Sequence, residues 1–306
     1  MRGQGFFRVL LLVCLAGWAA RAFGAEAEPG DIRLIVRGDD IGSCHAANVA
    51  CIQSYREGIV RSVELMVCCP WFNEAVAMLR DTPGLDVGVH LDLTAEWDLY
   101  KWGPLTKAPS LVDRDGYFFP TVRQRKDFPP NTGFIEAKPD LAEVEKELRA
   151  QIERAKARIP NVSHLSSHMG IVEATPELRA LAGRLSQEHK LPFGPPGIRN
   201  VRGFGGATPE EREAALVKVL EDLRPGLWLL VEHPGLDTPE MQAIGHLGSG
   251  NVAASRNAVT KAFTSEKVKD VAKKRAIRLL SYADALKNRL RYSRSEQCGC
   301  AGLDGP

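Results

Sequence analysis

Residues 32–40 read IRLIVRGDD and combine the two features on which the interpretation of this chain rests. The first five residues form a short, mostly apolar run of the kind that is typical of a buried strand. Asp39 and Asp40 follow directly, at the point where that strand would end. The end of this predicted strand therefore indicates where two adjacent carboxylates lie in the fold.

Short apolar runs alternate with longer amphipathic ones along the rest of the chain. Further strands are predicted at residues 63–68, 85–91, 162–166, 191–193, 226–231 and 277–280. Helices are predicted between them, at 46–57, at 73–80, after the caps Asp140, Thr175 and Thr208, and around 266–274. About seven β-α units in strict alternation predict a single α/β domain with parallel strands, as a (β/α) barrel or an open doubly wound sheet.

Three stretches depart from this alternation. Residues 92–138 show no sustained periodicity and are rich in aromatic residues and proline, which is typical of a functional lid or a disordered insert. Residues 1–24 carry an apolar run that is too short for a bilayer, which needs about 20 residues, but is typical of a secretory signal. We therefore expect an exported protein, periplasmic or secreted, with a domain at 25–292 and a disordered tail at 293–306.

The composition limits the classes of partner. The chain has 306 residues, with 40 Lys and Arg against 38 Asp and Glu, which is an ordinary globular balance that argues against nucleic-acid binding. After the signal, no segment approaches membrane-spanning length. One of the 7 cysteines lies in the signal, and the pairing of the others is open. The sequence also leaves the oligomeric state open, a homodimer included.

Polar residues follow four of the predicted strands. Asp39 and Asp40 follow the first, His90 ends the third, His168 lies just past the fourth, and His233 follows the sixth. The carboxyl ends of parallel strands share one face, so we expect these side chains to converge. One carboxylate with two imidazoles suits zinc or a related divalent ion that keeps an open position. A second carboxylate would then be free to take a proton, which is a hydrolase arrangement.

Several blocks of the sequence, in their order and spacing, resemble the YdjC family of carbohydrate deacetylases, which includes ChbG-type chitooligosaccharide deacetylases. The main blocks are LIVRGDDIG at 34–42, GIVRSVELMVCCPWF at 58–72, DVGVHLDLT at 86–94, HLSSH at 164–168 and VEHPG at 231–235. Together the matching blocks span nearly the whole chain after the signal. The resemblance implies a (β/α) barrel-like fold, a divalent metal ion and removal of an acetyl group from an N-acetylated sugar or oligosaccharide.

Carried over by position, the resemblance also implies roles for single residues. Asp40, His90 and His168 would ligate the metal ion, either Mg²⁺ or Zn²⁺. Asp39 would be the general base. His233 would be the general acid or would steady the developing oxyanion.

The chain departs from the family pattern near these positions. Arg37 and Gly38 stand where the family typically has Asn-Ala, and Ser166 and Gly170 replace an aspartate and a histidine of its histidine-rich motif. Losing an acidic partner of a metal ligand typically costs about ten- to a hundredfold in affinity or activity. Two alternatives therefore stay open: an exported carbohydrate-binding protein without catalysis, and a metal-dependent hydrolase of another amide or an ester.

Four further residues are weaker candidates. Asp92 lies two residues beyond His90 and could hydrogen-bond a ligand or be a solvated loop carboxylate. Trp97 and Trp102 could stack on sugar rings or pack within a lid. His246, in a glycine-rich stretch, is expected at the surface.

Overall fold

The computed structural model describes residues 30–201, 204–246 and 248–287. Within these ranges the core is one sheet of parallel strands in the order β4-β3-β2-β1-β6-β5, with β7 on β1. The strands are β1 Ile32–Ile41, β2 Ser62–Leu65, β3 Asp86–Leu91, β4 His164–Ser167, β5 Arg199–Asn200, β6 Gly226–Glu232 and β7 Arg278–Leu280. The predicted α/β class and parallel, barrel-like arrangement are confirmed, as a half-barrel with helices around it.

Strand β1 lies at the centre of this sheet. It pairs with β6 along one edge over residues 32–38. Its other edge is shared, because β7 pairs with residues 33–35 and β2 pairs from Arg37 onward. The register with β2 shifts between Gly38 and Ile41, so the two aspartates lie at an irregularity in the strand.

The helices cover the sheet, and three of them begin at the predicted caps. Asp140, Thr175 and Thr208 each accept a hydrogen bond from a backbone N–H of the first helical turn. The helices are α1 His45–Arg56, α2 Phe72–Arg80, α3 Leu141–Arg158, α4 Pro176–His189, α5 Pro209–Asp222, α6 Pro239–Gln242, α7 Val252–Thr264 and α8 Glu266–Lys274.

The predicted fifth strand at 191–193 is wrong. That segment makes one strand-like contact, in which the Leu165 N–H donates to the Pro192 carbonyl at 3.0 Å. The chain then turns at Gly194, where φ is 150°, a value that side-chain-bearing residues rarely adopt. The fifth strand is instead the two-residue β5 beside β6, so the sheet stays open between β4 and β5.

The irregular stretch at 92–138 is folded onto α3. It contains one short 3-10 turn, Pro109–Leu111, and buries Phe118 and Phe134 completely. Glu147 of α3, which has no exposed surface, accepts hydrogen bonds from backbone N–H groups of this stretch. A buried carboxylate therefore anchors the insert to the barrel.

The predicted signal at 1–24 and the predicted tail at 293–306 lie outside the described residues. Within the described ranges, the helices are too short or too polar to cross a bilayer. The four cysteines described there form no disulfide: Cys44, Cys51, Cys68 and Cys69.

Candidate metal centre

Three buried side chains from three different strand ends meet at the carboxyl edge of the sheet. One ligand atom from each of Asp40, His90 and His168 lies within 4.8 Å of the other two. Oδ1 of Asp40 is 3.6 Å from Nε2 of His90 and 3.5 Å from Nδ1 of His168. The structure thus brings together the three residues expected to share an ion.

Local backbone geometry directs Asp40 toward the histidines. Its φ is 69°, in the left-handed region that Asp and Asn tolerate better than most residues. Such conformations cost of order 1 kcal/mol or more and cluster at functional sites. The backbone forms a turn directly after Asp40, in which Ser43 donates both its N–H and its hydroxyl to the Asp40 carbonyl.

The two carboxylate oxygens of Asp40 have different surroundings. Oδ2 accepts a hydrogen bond from Nη2 of Arg256 at 2.7 Å, whereas the buried Oδ1 has no hydrogen-bond partner among the described residues. Burial opposes ionisation, but the charges of Arg256 and His233 hold the pKa of Asp40 well below its usual range. An ionised oxygen that is buried, unpaired and aimed at two imidazole nitrogens fits a cation site.

The hydrogen bonds of His90 determine its tautomer. Nδ1 is 2.7 Å from Oγ of Ser166, which in turn donates to the carboxylate of Glu64. A carboxylate only accepts, so Ser166 uses its proton there and accepts from Nδ1–H. Burial lowers the pKa of His90 to about 4, so the ring is neutral and Nε2 presents a lone pair to Asp40.

His168 is held by a carboxylate directly. Its Nε2 is 3.0 Å from Oε2 of Glu96, which leaves Nδ1 facing Asp40. Burial lowers the pKa of His168, but Glu96 and Asp92 outweigh that effect and raise the pKa well above its ordinary value. A bound cation would displace this proton, because metal ligation requires the neutral ring.

The donor set therefore fits a divalent metal ion. One carboxylate oxygen and two imidazole nitrogens form a set used by zinc and related ions, and each imidazole is oriented by a hydrogen bond from its other nitrogen. Among the described residues, no other group of three or more His, Cys, Asp or Glu has this spacing.

Asp39 lies beside the three candidate ligands and has its own counter-ion. Arg37 binds both of its oxygens, with hydrogen bonds of 2.7 and 2.8 Å, and also donates to the hydroxyl of Tyr282. Oδ2 of Asp39 is 3.7 Å from Nε2 of His90. The carboxylate is therefore fixed at the edge of the candidate metal position.

A cavity of about 640 Å³ opens over this cluster. His233, half-buried after the end of β6, lines it together with Asp39. Trp97 forms part of the wall, stacked on His246 with ring centroids 5.4 Å apart. His246, expected at the surface, is half-buried and forms part of the cavity wall.

Trp102 and Asp92 form a buried pair behind the site. Trp102 donates to Oδ2 of Asp92 at 2.5 Å, and Asp92 also accepts from the Thr94 N–H. Neither residue lines the cavity, so the sugar-stacking role weighed for Trp102 has no support, and a solvated loop position for Asp92 is wrong. Burial raises the pKa of Asp92 to about 6.

Sequence reasoning missed three residues that orient the cluster. Glu64 lies inside β2, Glu96 in the irregular stretch after β3, and Arg256 on α7. Of the three, only Glu64 could have been noticed in the sequence, because a charged residue in the middle of a buried strand is unusual. The positions of Glu96 and Arg256 have no periodic signature.

The fold and the site together place this chain in one class of protein. It is a barrel-like α/β protein with a candidate metal centre, an Asp-His-His cluster, at the carboxyl ends of its parallel strands. The family model described as YdjC-like protein matches residues 33–274, and the chain belongs to this family.

Two sequence relatives agree with that assignment, and one solved structure shares the fold. A carbohydrate deacetylase of Brevibacillus brevis is 28% identical over 271 residues, covering 83% of this chain and 99% of the relative. A carbohydrate deacetylase of Thermus thermophilus is 32% identical over 237 residues, covering 69% and 80%. The crystal structure of a proposed cellobiose-phosphate cleavage protein from Enterococcus faecalis shares the fold, with a TM-score of 0.66, 24% identity and coverage of 82% of this chain and 98% of that one.

Proposed function

We propose that this protein is a metal-dependent hydrolase that removes acetyl groups from N-acetylated sugars or oligosaccharides. The observation that carries the proposal is the unpaired, buried Oδ1 of Asp40, which faces a nitrogen of His90 and one of His168 on the floor of an open cavity. The names of the related carbohydrate deacetylases support the reaction and the substrate class.

Asp40, His90 and His168 would hold the ion. Two nitrogen donors favour Zn²⁺ or a related transition ion over Mg²⁺, which prefers oxygen ligands. When bound, such an ion supplies Lewis acidity to a carbonyl oxygen and lowers the pKa of water toward about 7.

Asp39 and His233 would move the protons. Asp39, held in place by Arg37, has a carboxylate oxygen 3.7 Å from Nε2 of His90 and would accept a proton from the attacking water. His233, on the cavity wall after β6, would donate a proton to the departing amine. General acid-base steps of this kind contribute about 10²- to 10⁴-fold to the rate.

The cavity wall suits a sugar ring. Trp97 contributes an apolar part of the wall, and the surrounding lining is polar, with Asn251 and Ser249 among its residues. Sugars combine apolar ring faces with hydroxyl edges, so a mixed wall of this kind is the expected complement.

The direct test is acetate release from chitooligosaccharides by protein that has been stripped of metal and reloaded with Zn²⁺ or Mg²⁺. We expect activity with Zn²⁺, loss of bound ion in His90→Ala, and retained ion with at least a hundredfold lower rate in Asp39→Asn. His189→Ala, on the far end of α4, is the matched control and should behave as wild type. Equal activity of all four proteins would contradict the proposal.

One observation favours a carbohydrate-binding protein without turnover as the second candidate. Arg37 donates hydrogen bonds to both oxygens of Asp39, so the carboxylate proposed as general base is already engaged by another side chain. Calorimetry with chitooligosaccharides decides between the two: binding without acetate release supports the second candidate. Hydrolysis of other acetylated amides or esters, but not of sugars, would assign a different substrate.

Export is part of the proposal, because residues 1–24 have the composition of a secretory signal. Expression of the full chain should yield a protein outside the cytoplasm whose N-terminal residue is close to Ala25. Retention of an intact Met1 in the cytoplasmic fraction would contradict it.

A further inference from the structure

Glu64 is a buried carboxylate that the proposed reaction does not use. It lies in the middle of β2, has no exposed surface and does not line the cavity. Burial of a carboxylate is costly unless hydrogen bonds and opposite charges offset it. Three groups do so: the hydroxyl of Ser166, Nε2 of His164 at 2.6 Å, and the guanidinium of Arg37 at 3.7 Å.

The side chain of Glu64 on β2 crosses β3 and contacts His164 on β4. Its partner in the register of β3 is Gly88, and the partner of Gly88 on β4 is His164. A Cβ at Gly88 would collide with the carboxylate of Glu64 and with the ring of His164. The missing side chain at Gly88 therefore opens a passage from β2 to β4 beneath β3.

The passage ends at a candidate metal ligand. Ser166 on β4 pairs in register with His90 on β3, and its hydroxyl is 2.7 Å from Nδ1 of His90. Because the Ser166 hydroxyl donates its one hydrogen bond to Glu64, Ser166 can only accept a hydrogen bond from His90. His90 therefore donates its Nδ1–H to Oγ of Ser166, and Ser166 donates its hydroxyl to the carboxylate of Glu64.

We propose that Glu64 is a positioning residue which, through Ser166, keeps the proton of His90 on Nδ1 and thereby aims the Nε2 lone pair at the metal position. This inference rests on the proposed metal role of His90. Glu64 thus takes the part that a carboxylate in direct contact with a ligating histidine normally plays, with a serine hydroxyl between them.

The same geometry explains why a serine occupies position 166. The family resemblance leads one to expect an aspartate there, and its carboxylate would lie against that of Glu64 at a buried position. Two adjacent buried carboxylates repel each other, and one must take up a proton. Ser166 avoids the repulsion and links Glu64 to His90 through its hydroxyl. The departure from the family pattern at position 166 is therefore compensated by the carboxylate of Glu64 on β2.

The test is a double-mutant cycle on Glu64 and Ser166, read by zinc affinity in competition with a chromophoric chelator. Glu64→Gln and Ser166→Ala should each weaken zinc binding about ten- to a hundredfold. Ser166→Asp should also weaken it in the wild-type background, whereas in the Glu64→Gln background it should strengthen binding. This reversal of sign distinguishes a shared charge from two independent packing effects.

A second readout does not require metal. In metal-free protein, ¹⁵N NMR of the imidazole should show His90 as the Nδ1–H tautomer, and Ser166→Ala should increase the share of the Nε2–H form. Ser166→Ala removes one hydroxyl and keeps Glu64 paired with His164 and Arg37, so the measurement remains available if Glu64→Gln does not fold.

The outcomes separate this inference from the proposed function. Glu147→Gln, the same substitution at a buried carboxylate that holds the insert, is the control and should leave zinc affinity unchanged. If wild type binds zinc and the variants at 64 and 166 bind it equally well, the inference is wrong and the proposed function stands. If wild type binds no divalent ion, both are wrong.

Discussion

Arg256 donates a hydrogen bond of 2.7 Å to Oδ2 of Asp40 and leaves Oδ1 to the two histidines. The guanidinium comes from α7, which is remote in sequence, and its carbon lies 5.4 Å from the ring centroid of Trp97. One side chain therefore supplies the counter-charge of a candidate metal ligand and packs against the cavity wall.

This pairing predicts how Arg256→Met responds to metal. Without metal, the variant leaves a buried carboxylate unpaired and should lose about 3 kcal/mol of unfolding free energy. Zinc would then supply the counter-charge that Arg256 provided to Asp40, so saturating zinc should stabilise the variant more than wild type. Denaturant unfolding with chelator and with zinc measures both quantities. Arg278→Met, which breaks the ion pair with Asp31 away from the cavity, should leave the zinc response unaltered; equal responses of all three proteins would rule out the prediction.

The positions of the site residues at strand ends could be predicted from the sequence because parallel strands end on one face. That rule placed Asp39, Asp40, His90 and His168 together without any knowledge of loop structure. It could not identify Arg256, since α7 lies outside the strand pattern and an arginine on a helix is usually a solvated residue.

The fold was predictable to a similar extent. Runs of apolar residues located six strands of the sheet, but the fifth was placed at 191–193, where only one main-chain hydrogen bond reaches β4. The actual β5 is two exposed residues, Arg199 and Asn200, whose pairing with β6 depends on tertiary contacts rather than on an apolar pattern.

Asp92 predicts a specific dependence of stability on pH. Burial raises its pKa from the ordinary 3.8 to about 6, so the folded protein binds this proton more tightly than the unfolded chain. The corresponding stability is fully present below the unfolded pKa and is lost as pH rises through the folded pKa. Relative to Asp92→Asn, metal-free wild type should lose on the order of 1 kcal/mol between about pH 5 and about pH 8.

Urea unfolding of both proteins with chelator at the two pH values provides the measurement. Asp98→Asn, at a neighbouring position in the same irregular stretch, serves as control and should show no comparable difference from wild type. A constant difference between wild type and Asp92→Asn across this range would show that Asp92 does not titrate there.

Glu147 predicts how the insert is attached to the barrel. Its Oε1 accepts from the Leu105 N–H, and its Oε2 accepts from the N–H and the hydroxyl of Thr106. In Glu147→Gln one of these oxygens becomes an amide NH₂ group that faces other donors, so we expect a loss of about 3 kcal/mol and faster hydrogen exchange at the Leu105 and Thr106 amides.

Glu143 on the same helix offers a matched control. Among the described residues, hydrogen bonds reach only its Oε2, from the N–H and the hydroxyl of Ser110, so Glu143→Gln can keep both hydrogen bonds through its remaining carbonyl oxygen. We expect its stability to stay within about 0.5 kcal/mol of wild type. If the two variants lose equal stability, the anchoring role of Glu147 is disproved.

Glu240 predicts a contribution to the first helix from a residue far along the chain. The cap residue of α1, Cys44, provides no side-chain hydrogen bond, and the carboxylate of Glu240 instead accepts from the His45 and Ala46 N–H groups at 3.1 and 3.0 Å. Because it satisfies two unpaired donors and places a negative charge at the helix N-terminus, Glu240→Ala should lower the unfolding free energy by about 1–2 kcal/mol. Glu240→Gln, which keeps one accepting oxygen and removes the charge, should lose about half as much in low salt, and the losses of both variants relative to wild type should shrink as salt screens the charge of Glu240. Identical losses for both variants would mean that the oxygen kept in Glu240→Gln contributes nothing, and losses that do not change with salt would mean that the charge contributes nothing.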